Sequence, residues 1–292
     1  MKLAKVTSHG VPIVGAVVGE EVVDLTAALG ADMDDLSKLL SLGCEAEDLV
    51  QRCIRTAASR LPLRGVTLVA PILRPDKILG VGMNYHSFVA AVKRCGIPIP
   101  TERLWFYRPR GCIVGPSDHV WLPSGASDFD YEAELAVVIG RRCRRVSPAD
   151  APAAIGAFTV ANDMTLRERL LKSVVFGKSF DTHMPLGPWL VTPDEVGDPH
   201  NLAVSTWVNG ELRQRSNTDD MIASCYELIS EISAACTLNA GDIILTGTPE
   251  GCGMFARPAR TLAKNDVVRV EIEKIGSIEN RVVDEPGDMG LL

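Results

Sequence analysis

Acidic and other residues alternate in one short stretch near the middle of the chain. Asp128, Asp130, Glu132 and Glu134 occupy every second position, directly ahead of the apolar run 135–139. A period of two predicts a β-strand that carries the four carboxylates on one face. Like charges on one face repel each other, so either water or a cation must screen them. Oxygen ligands favour Mg²⁺, Mn²⁺ or Ca²⁺ over zinc, and a solvated acidic edge strand is the alternative interpretation.

The hydrophobic pattern elsewhere predicts many strands and few helices. Alternation and turn residues predict strands at 3–6, 11–18 and 21–25, followed by a helical pattern over 32–58. Prolines at 62, 71 and 75 predict a boundary near residue 70. Beyond it we expect strands at 77–82, 133–140, 157–161 and 242–246, a short helix or lid at 84–93, a helix near 148–155, and a terminal hairpin formed by 267–272 and 277–283.

The longest helical pattern covers residues 219–237. Apolar side chains recur there at helical spacing, which predicts a helix that packs against the core. Asn217 and Thr218 are the predicted N-caps. The fold class is therefore α+β and mainly β, with a small N-terminal domain at 1–70 and a main domain at 71–292.

Composition and charge narrow the class of protein. The 292 residues are 46% hydrophobic and 23% charged, with a formal net charge of −7 and a pI near 5.3. An acidic protein of this kind is not expected to bind nucleic acid or an anionic membrane. The first residues do not resemble a signal peptide, so we expect a cytoplasmic location. The eight cysteines form no CxxC pair, which argues against a zinc site or a redox dithiol.

Several polar residues stand where a cleft is expected. Asp163 follows the strand at 157–161 and offers a third carboxylate, although an Asn-Asp pair also forms turns. Lys178 lies in a glycine- and proline-bounded loop, where it can neutralise an enolate or a carboxylate, although most single lysines are merely solvated. The loop 246–253 is rich in glycine and hydroxyl groups and can hold an oxyanion with its backbone N–H groups.

Two further observations concern bases and substrate contacts. His86 is the one histidine in a predicted pocket segment and so the one candidate general base; an ordinary exposed histidine is the alternative. Arg213 and Gln214 are neighbours on a predicted strand, so at most one of them should face a given pocket. A GxSxG motif is absent from the sequence, which argues against a covalent serine mechanism.

In order and spacing, these segments resemble the fumarylacetoacetate hydrolase superfamily. The resemblance covers most of the chain, through Gly-Met-Asn-Tyr at 82–85, Ile-Val-Gly-Pro at 113–116, the acidic strand at 130–140, Ala-Asn-Asp at 161–163 with Arg167, Gly-Lys-Ser-Phe-Asp at 177–181, and Thr-Gly-Thr-Pro at 246–249. It implies a small N-terminal α/β domain and a mixed β-roll catalytic domain, usually in a homodimer.

The resemblance also implies a site. Glu132, Glu134 and Asp163 would bind Mg²⁺ or Mn²⁺, sometimes Ca²⁺, and Lys178 would be the catalytic lysine. The implied substrate is a small oxo or diketo acid, whose enolate the ion stabilises as a Lewis acid. The expected substrate-binding residues are Tyr85, Arg108, Arg213, Gln214 and Thr248.

Departures from the family pattern leave the reaction open. The family's water-activating His-x-x-Glu dyad would occupy positions 88 and 91, which here are Phe88 and Ala91. Leu170 replaces a substrate-contacting glutamine, and His86 is the candidate replacement base. Hydrolytic C–C cleavage of an acylpyruvate, the commonest family activity, is our first expectation. The alternatives are a 2-hydroxyhepta-2,4-diene-1,7-dioate-type isomerase, a tautomerase, an oxo-acid decarboxylase or a non-catalytic scaffold.

Overall fold

The computed structural model describes residues 1–29, 35–56 and 59–287. Its strands are β1 (Lys2–Ser8), β2 (Val11–Val18), β3 (Glu21–Asp24), β4 (Arg60–Pro62), β5 (Thr67–Val69), β6 (Ile78–Gly82), β7 (Leu104–Tyr107), β8 (Ile113–Val114), β9 (Val120–Leu122), β10 (Phe129–Asp130), β11 (Ala133–Ile139), β12 (Ile155–Asn162), β13 (Thr165–Leu166), β14 (Met184–Val191), β15 (Ala203–Val208), β16 (Glu211–Asn217), β17 (Ile243–Leu245), β18 (Val267–Ile272) and β19 (Gly276–Asp284). The fold is α+β and mainly β, as predicted.

The helices contain between 4 and 13 residues. They are α1 (Thr26–Leu29), α2 (Leu36–Ser41), α3 (Cys44–Thr56), α4 (His86–Arg94), α5 (Arg167–Leu170), α6 (Val174–Lys178), α7 (Pro193–Val196) and α8 (Cys225–Ala235), with 3₁₀ turns at Leu63–Gly65, Arg110–Cys112, Ala151–Ala154, Thr218–Asp220 and Gly253–Phe255. The predicted helix near 148–155 is thus only a 3₁₀ turn. Among the described residues, no helix is both long and apolar enough to cross a membrane.

Strand β11 lies at the centre of a twelve-stranded mixed sheet. Along its main path the sheet has the order β4-β3-β2-β1-β14-β12-β11-β17-β6-β7, and a five-stranded sheet has the order β16-β15-β18-β19-β9. Leu135 and Val137 belong to the larger core cluster, whereas Ala136 and Val138 belong to a second cluster that includes residues of α2 and α3. Both faces of β11 are therefore covered, which explains its continuous apolar run.

The first 70 residues share this sheet with the rest of the chain. Strand β1 pairs antiparallel with β14, with Lys2 opposite Val191. The predicted helical region 32–58 contains α2 and α3, and its positions 32–34 and 57–58 lie outside the described residues. The domain boundary near residue 70 stays a prediction.

The helix predicted to begin at residue 219 begins later. Ser224 caps α8, and its side chain and that of Glu227 form a reciprocal capping box. Asn217 instead caps the 3₁₀ turn before it. The intervening backbone is held by tertiary contacts, because Ile222 N donates to Asn84 O at 2.7 Å. Helical spacing in the sequence could not show this competing bond.

The predicted acidic strand is interrupted. Strand β10 ends at Asp130 and pairs with β13 in a separate two-stranded sheet, whereas β11 starts at Ala133. Asp130 is buried and accepts hydrogen bonds from the backbone N–H groups of Gly253 and Met254 at 2.7 and 3.0 Å. The prediction that all four carboxylates share one strand face was therefore wrong, since the strand is interrupted between the second and third of them.

Candidate metal and substrate site

Three buried carboxylates meet at the ends of neighbouring antiparallel strands. Strand β12 runs beside β11 with Asn162 opposite Ala133, so Asp163 follows directly next to Glu132. Asp163 N donates to Glu132 O at 2.8 Å, and Glu132 N donates to the Asn162 side chain at 3.0 Å. Glu134 lies two residues further along β11. One oxygen from each of the three carboxylates lies within 4.8 Å of the others.

This donor set fits a hard divalent cation. Three carboxylate oxygens are the ligands that Mg²⁺, Mn²⁺ and Ca²⁺ prefer. Glu134 is only 2% exposed, and it makes no ion pair with any described residue; it accepts one hydrogen bond from Gly247 N at 2.7 Å. Burial raises the pKa of Glu134 to about 8. A buried carboxylate without a cationic partner is the feature that a bound ion would compensate.

Lys178 lies among these carboxylates at the end of α6. Its Nζ donates to Glu132 at 2.6 Å, to Thr165 Oγ1 at 2.9 Å and to Asp163. All three ammonium hydrogens are therefore used. Burial lowers the pKa of Lys178, although Glu132 and Glu134 oppose that effect. A lysine with a lowered pKa releases its proton more readily than an exposed lysine does.

Two buried arginines also pair with acidic residues of this cluster. Arg167 contacts Glu132 at 2.7 Å and Asp130 at 2.9 Å, so it anchors the chain where β10 ends. Although burial raises the pKa of Glu132, the charges of Lys178 and Arg167 outweigh it and hold that pKa below its usual range. Arg108 is fully buried and pairs with Asp163, so it lies behind the carboxylates. Arg167 was not among the predicted site residues, although its motif with Asp163 was visible in the sequence.

His183 accepts a hydrogen bond from Arg108 and makes the stability of the fold depend on pH. Arg108 donates to His183 O at 2.9 Å, and the ring packs between Phe129 and Phe180 with Nε2 2.9 Å from Trp121 O. Burial lowers the pKa of His183 to about 3. The neutral ring thus stabilises the fold fully above pH 6.5, and this contribution falls as pH drops from 6.5 towards 3, because only the unfolded chain takes up the proton.

We therefore expect His183→Asn to flatten the acid dependence of stability. The extra loss of stability in the wild-type protein should begin near pH 6.5 and approach about 1.4 kcal/mol per pH unit below about pH 5.5. Urea unfolding at several pH values measures this, with the exposed His119 changed to Asn as the control. Parallel pH profiles for wild type and His183→Asn would contradict the assignment.

A cavity of about 220 Å³ opens onto the carboxylates. Its polar end is formed by Glu132, Glu134, Arg167, Lys178 and Thr248. The rest of its described lining is apolar or glycine, and includes Val81, Met83, Phe88, Val92, Ile97, Leu104, Phe106, Leu170, Leu171, Val174, Met254 and Phe255. The cavity can therefore hold a small acid whose polar head meets the carboxylate cluster.

The loop after β17 supplies Thr248 to this cavity. Gln214 Nε2 donates to Thr248 Oγ1 at 2.9 Å, and Gln214 Oε1 accepts from Ala133 N at 3.1 Å. Because Thr248 Oγ1 accepts from Gln214, its own hydroxyl hydrogen is available to a ligand. Gly247 has φ +92, and a Cβ there would lie 2.9 Å from Asn84 Cβ, so only glycine fits this turn. Gln214 is thus a positioning residue.

Other predicted site residues lie elsewhere. His86 is exposed at the first residue of α4 and does not line the cavity. Tyr85 is fully buried next to Phe88, and its hydroxyl has no partner among the described atoms. Arg213 lines a second cavity, of about 340 Å³, together with Ala91. The structure therefore brings the carboxylates, Lys178 and Thr248 together, but places these three residues outside the cavity lining.

Comparison with known proteins agrees with this geometry. Residues 77–283 match the family described as fumarylacetoacetate (FAA) hydrolase C-terminal. The chain belongs to the fumarylacetoacetate hydrolase superfamily. Members of this superfamily include tautomerases, hydrolases and isomerases. The predicted family is thereby confirmed.

Curated relatives in this superfamily include oxaloacetate tautomerases. The bovine protein named oxaloacetate tautomerase FAHD2B, mitochondrial, is 44% identical over 269 residues, which cover 91% of this chain and 85% of the relative. The human protein named oxaloacetate tautomerase FAHD2A, mitochondrial, is 41% identical with the same coverage.

Solved structures in the superfamily share the fold over almost the whole chain. Maleylpyruvate hydrolase from Sphingobium sp. SYK-6, in complex with manganese(II) and pyruvate, is 32% identical with a TM-score of 0.84, and the match covers 98% of this chain and 100% of that one. 5-carboxymethyl-2-hydroxymuconate delta-isomerase from Mycobacterium smegmatis is 31% identical with a TM-score of 0.77 and the same coverage. A divalent-metal site is thus consistent with the fold.

Proposed function

We propose that this protein is a divalent-metal-dependent keto–enol tautomerase of small 2-oxo acids. The observation that carries the proposal is Phe88, which lines the cavity where the family's hydrolytic members would place a water-activating histidine. Its ring meets Phe255 edge-on, with the centroids 5.3 Å apart. Ala91 replaces the second member of that dyad and is 4% exposed. Tautomerisation needs a stabilised enolate and a proton carrier but no activated water.

Glu132, Glu134 and Asp163 would hold Mg²⁺ or Mn²⁺, which when bound supplies Lewis-acid stabilisation to the enolate of a 2-oxo acid. The ion would neutralise Glu132 and Asp163, which now share Lys178, and would so leave N–H groups of Lys178 available to the substrate. Thr248 would donate its hydroxyl hydrogen to the substrate carboxylate.

Lys178 would carry the proton. In ketonisation, the ammonium group donates a proton to C3, the C2=C3 bond becomes a single bond, and the amine accepts the proton of the enol hydroxyl as C2=O forms. Atoms and charge balance without an oxidant or a water molecule. The lowered pKa of Lys178 suits a group that must both give and accept a proton.

The test is a comparison of three reactions with the same metal-loaded protein. Decay of the enol absorbance of oxaloacetate measures tautomerisation, pyruvate release from an acylpyruvate measures hydrolysis, and CO₂ release measures decarboxylation. We expect accelerated enol decay with Mg²⁺ or Mn²⁺ and its loss after EDTA treatment. Metal-dependent pyruvate release without accelerated enol decay would replace the proposal by a hydrolase, which the similarity to maleylpyruvate hydrolase favours as the second candidate.

We expect His86→Ala to change kcat/KM less than twofold. His86 is exposed at the start of α4, away from the carboxylates, so it has no route to the reacting atoms. Enol decay measures the effect, and the exposed His119→Ala is the control. Ser87→Ala is unsuitable as a control, because it would remove the hydrogen bond that the Ser87 hydroxyl donates to Asp220 at 2.5 Å. A loss of a hundredfold or more would restore His86 as the replacement base.

The cytoplasmic location and the homodimer expected from the sequence stay predictions. The bovine and human relatives are named as mitochondrial. Light scattering of the purified protein and fractionation of the source cells test the two predictions separately.

A further inference from the structure

The catalytic cavity is polar only at its metal-binding end. Beyond the carboxylates, Phe88, Val92, Leu170 and Phe255 form the described wall. Around the mouth the apolar character continues, with Leu171 92% exposed. Exposed apolar surface beside a cavity favours a ligand that covers it.

Both cationic groups in the cavity lining are already engaged at the polar end. Arg167 contacts Asp130 through Nε and Nη2 and Glu132 through Nη1, at 2.7 to 3.0 Å. Lys178 belongs to the 2-oxo group in the proposed reaction. A second carboxylate at the far end of a substrate would therefore meet only apolar described side chains, and its partial desolvation would cost free energy on the order of several kcal/mol.

A cluster of other cations lines a second cavity, on the other side of Phe255. Arg94, Arg213, Arg215 and Arg260 line the second cavity, and Phe255 lines both cavities. The rings of Phe88 and Phe255 pack edge-on at this boundary, with their centroids 5.3 Å apart. A distal carboxylate in the catalytic cavity is thereby shielded from these arginines.

We infer that the substrate is a monoanionic 2-oxo acid whose C3 carries an apolar, aryl-sized group, and that Phe88 and Leu170 determine this preference. The inference rests on the proposed function and names the substrate class of the same site. The volume is adequate, since an apolar cavity of roughly 150 Å³ can bind benzene and this one measures about 220 Å³. A C3 aryl group also leaves the C3–H bond that tautomerisation must break and re-form.

The first test compares two ligands that differ only at the far end. Calorimetry of the Mn²⁺-loaded protein with phenylpyruvate and with 4-carboxyphenylpyruvate should show at least tenfold tighter binding of phenylpyruvate. Enol decay should show the same preference in kcat/KM, and phenylpyruvate should exceed oxaloacetate. Equal or tighter binding of the carboxylated ligand would overturn the inference.

The two readouts separate this inference from the proposed function. Preferential binding of phenylpyruvate without accelerated enol decay would support the substrate class and overturn the tautomerase. Accelerated decay of the oxaloacetate enol without any preference for phenylpyruvate would support the tautomerase and overturn the substrate class.

A variant pair tests the role of Leu170. Leu170→Gln should weaken phenylpyruvate binding at least fivefold while leaving 4-carboxyphenylpyruvate unchanged or tighter. Val175→Gln is the matched control, because Val175 lies on the same segment and is 42% exposed, but does not line the cavity. Leu170 packs against Gly177, so thermal unfolding of both variants is measured as well. If Leu170→Gln proves unstable, Val92→Thr repeats the test at another apolar residue of the cavity lining. An unchanged ligand preference in a folded variant would show that the apolar wall does not determine the preference.

Discussion

Glu134→Gln is expected to abolish metal-dependent turnover, with kcat/KM falling on the order of a thousandfold or more. An amide is a much poorer ligand for a hard cation than a carboxylate, and Lewis-acid stabilisation of an enolate contributes several kcal/mol, where each 1.4 kcal/mol is about tenfold in rate. Enol decay measures the loss of turnover, and calorimetry with Mn²⁺ measures the loss of metal binding. Full activity of the variant, or of wild type in EDTA, would refute the metal site.

Of the three carboxylates, Glu134 can be replaced with the least effect on other contacts. It makes no ion pair with a described residue, and glutamine can still accept the hydrogen bond from Gly247. The metal-free variant should therefore be at least as stable as metal-free wild type, because the glutamine amide avoids the free-energy cost of keeping this carboxyl buried, whether ionised or protonated. Asp163→Asn differs, since it would leave the buried guanidinium of Arg108 without its partner. The exposed Glu168→Gln is the control for both measurements.

Lys178→Met should lower kcat by about a hundredfold to ten-thousandfold, the usual range for removal of a positioned proton carrier. Methionine keeps the apolar stem and removes the ammonium group. Single-turnover enol decay with Mn²⁺ present measures the effect, and KM should change far less than kcat. Lys172→Met is the matched control, because Lys172 is exposed on the same segment. Unchanged kcat would remove Lys178 from the mechanism.

The same variant has a stability signature that depends on the metal. Without an ion, Lys178 neutralises Glu132 and Asp163, so its removal should lower the melting temperature of the metal-free protein. With Mn²⁺ bound, the ion takes over that role and the difference should shrink. A melting temperature that drops equally in both states would indicate a purely structural lysine.

Local patterns were sufficient to predict the fold class and the family. The period-two acidic stretch predicted that Glu132 and Glu134 would face the same site, and the order of the motifs added Asp163 and Lys178. These predictions depended on residues that lie within a few positions of a strand end. Strand alternation is a local property of the backbone, so the sequence alone can show it.

Placement of the remaining site residues depended on contacts between distant segments. Arg108 was expected to bind substrate but lies behind Asp163, and Gln214 holds Thr248 rather than lining the cavity. His86 and Arg213 face other surfaces. A helix or strand pattern states which residues share a face, but not which other element covers that face.

By itself, the sequence determined the strand-rich fold, the family and the acidic residues of the candidate metal site, because alternation, turn residues and motif spacing act through neighbouring residues. Only the tertiary structure decided that the strand is interrupted after Asp130, that α8 starts at Cys225, and that Phe88 and Leu170 belong to the apolar lining of the cavity. Those outcomes depend on hydrogen bonds and packing between segments far apart in the chain, whose free energies override local preference.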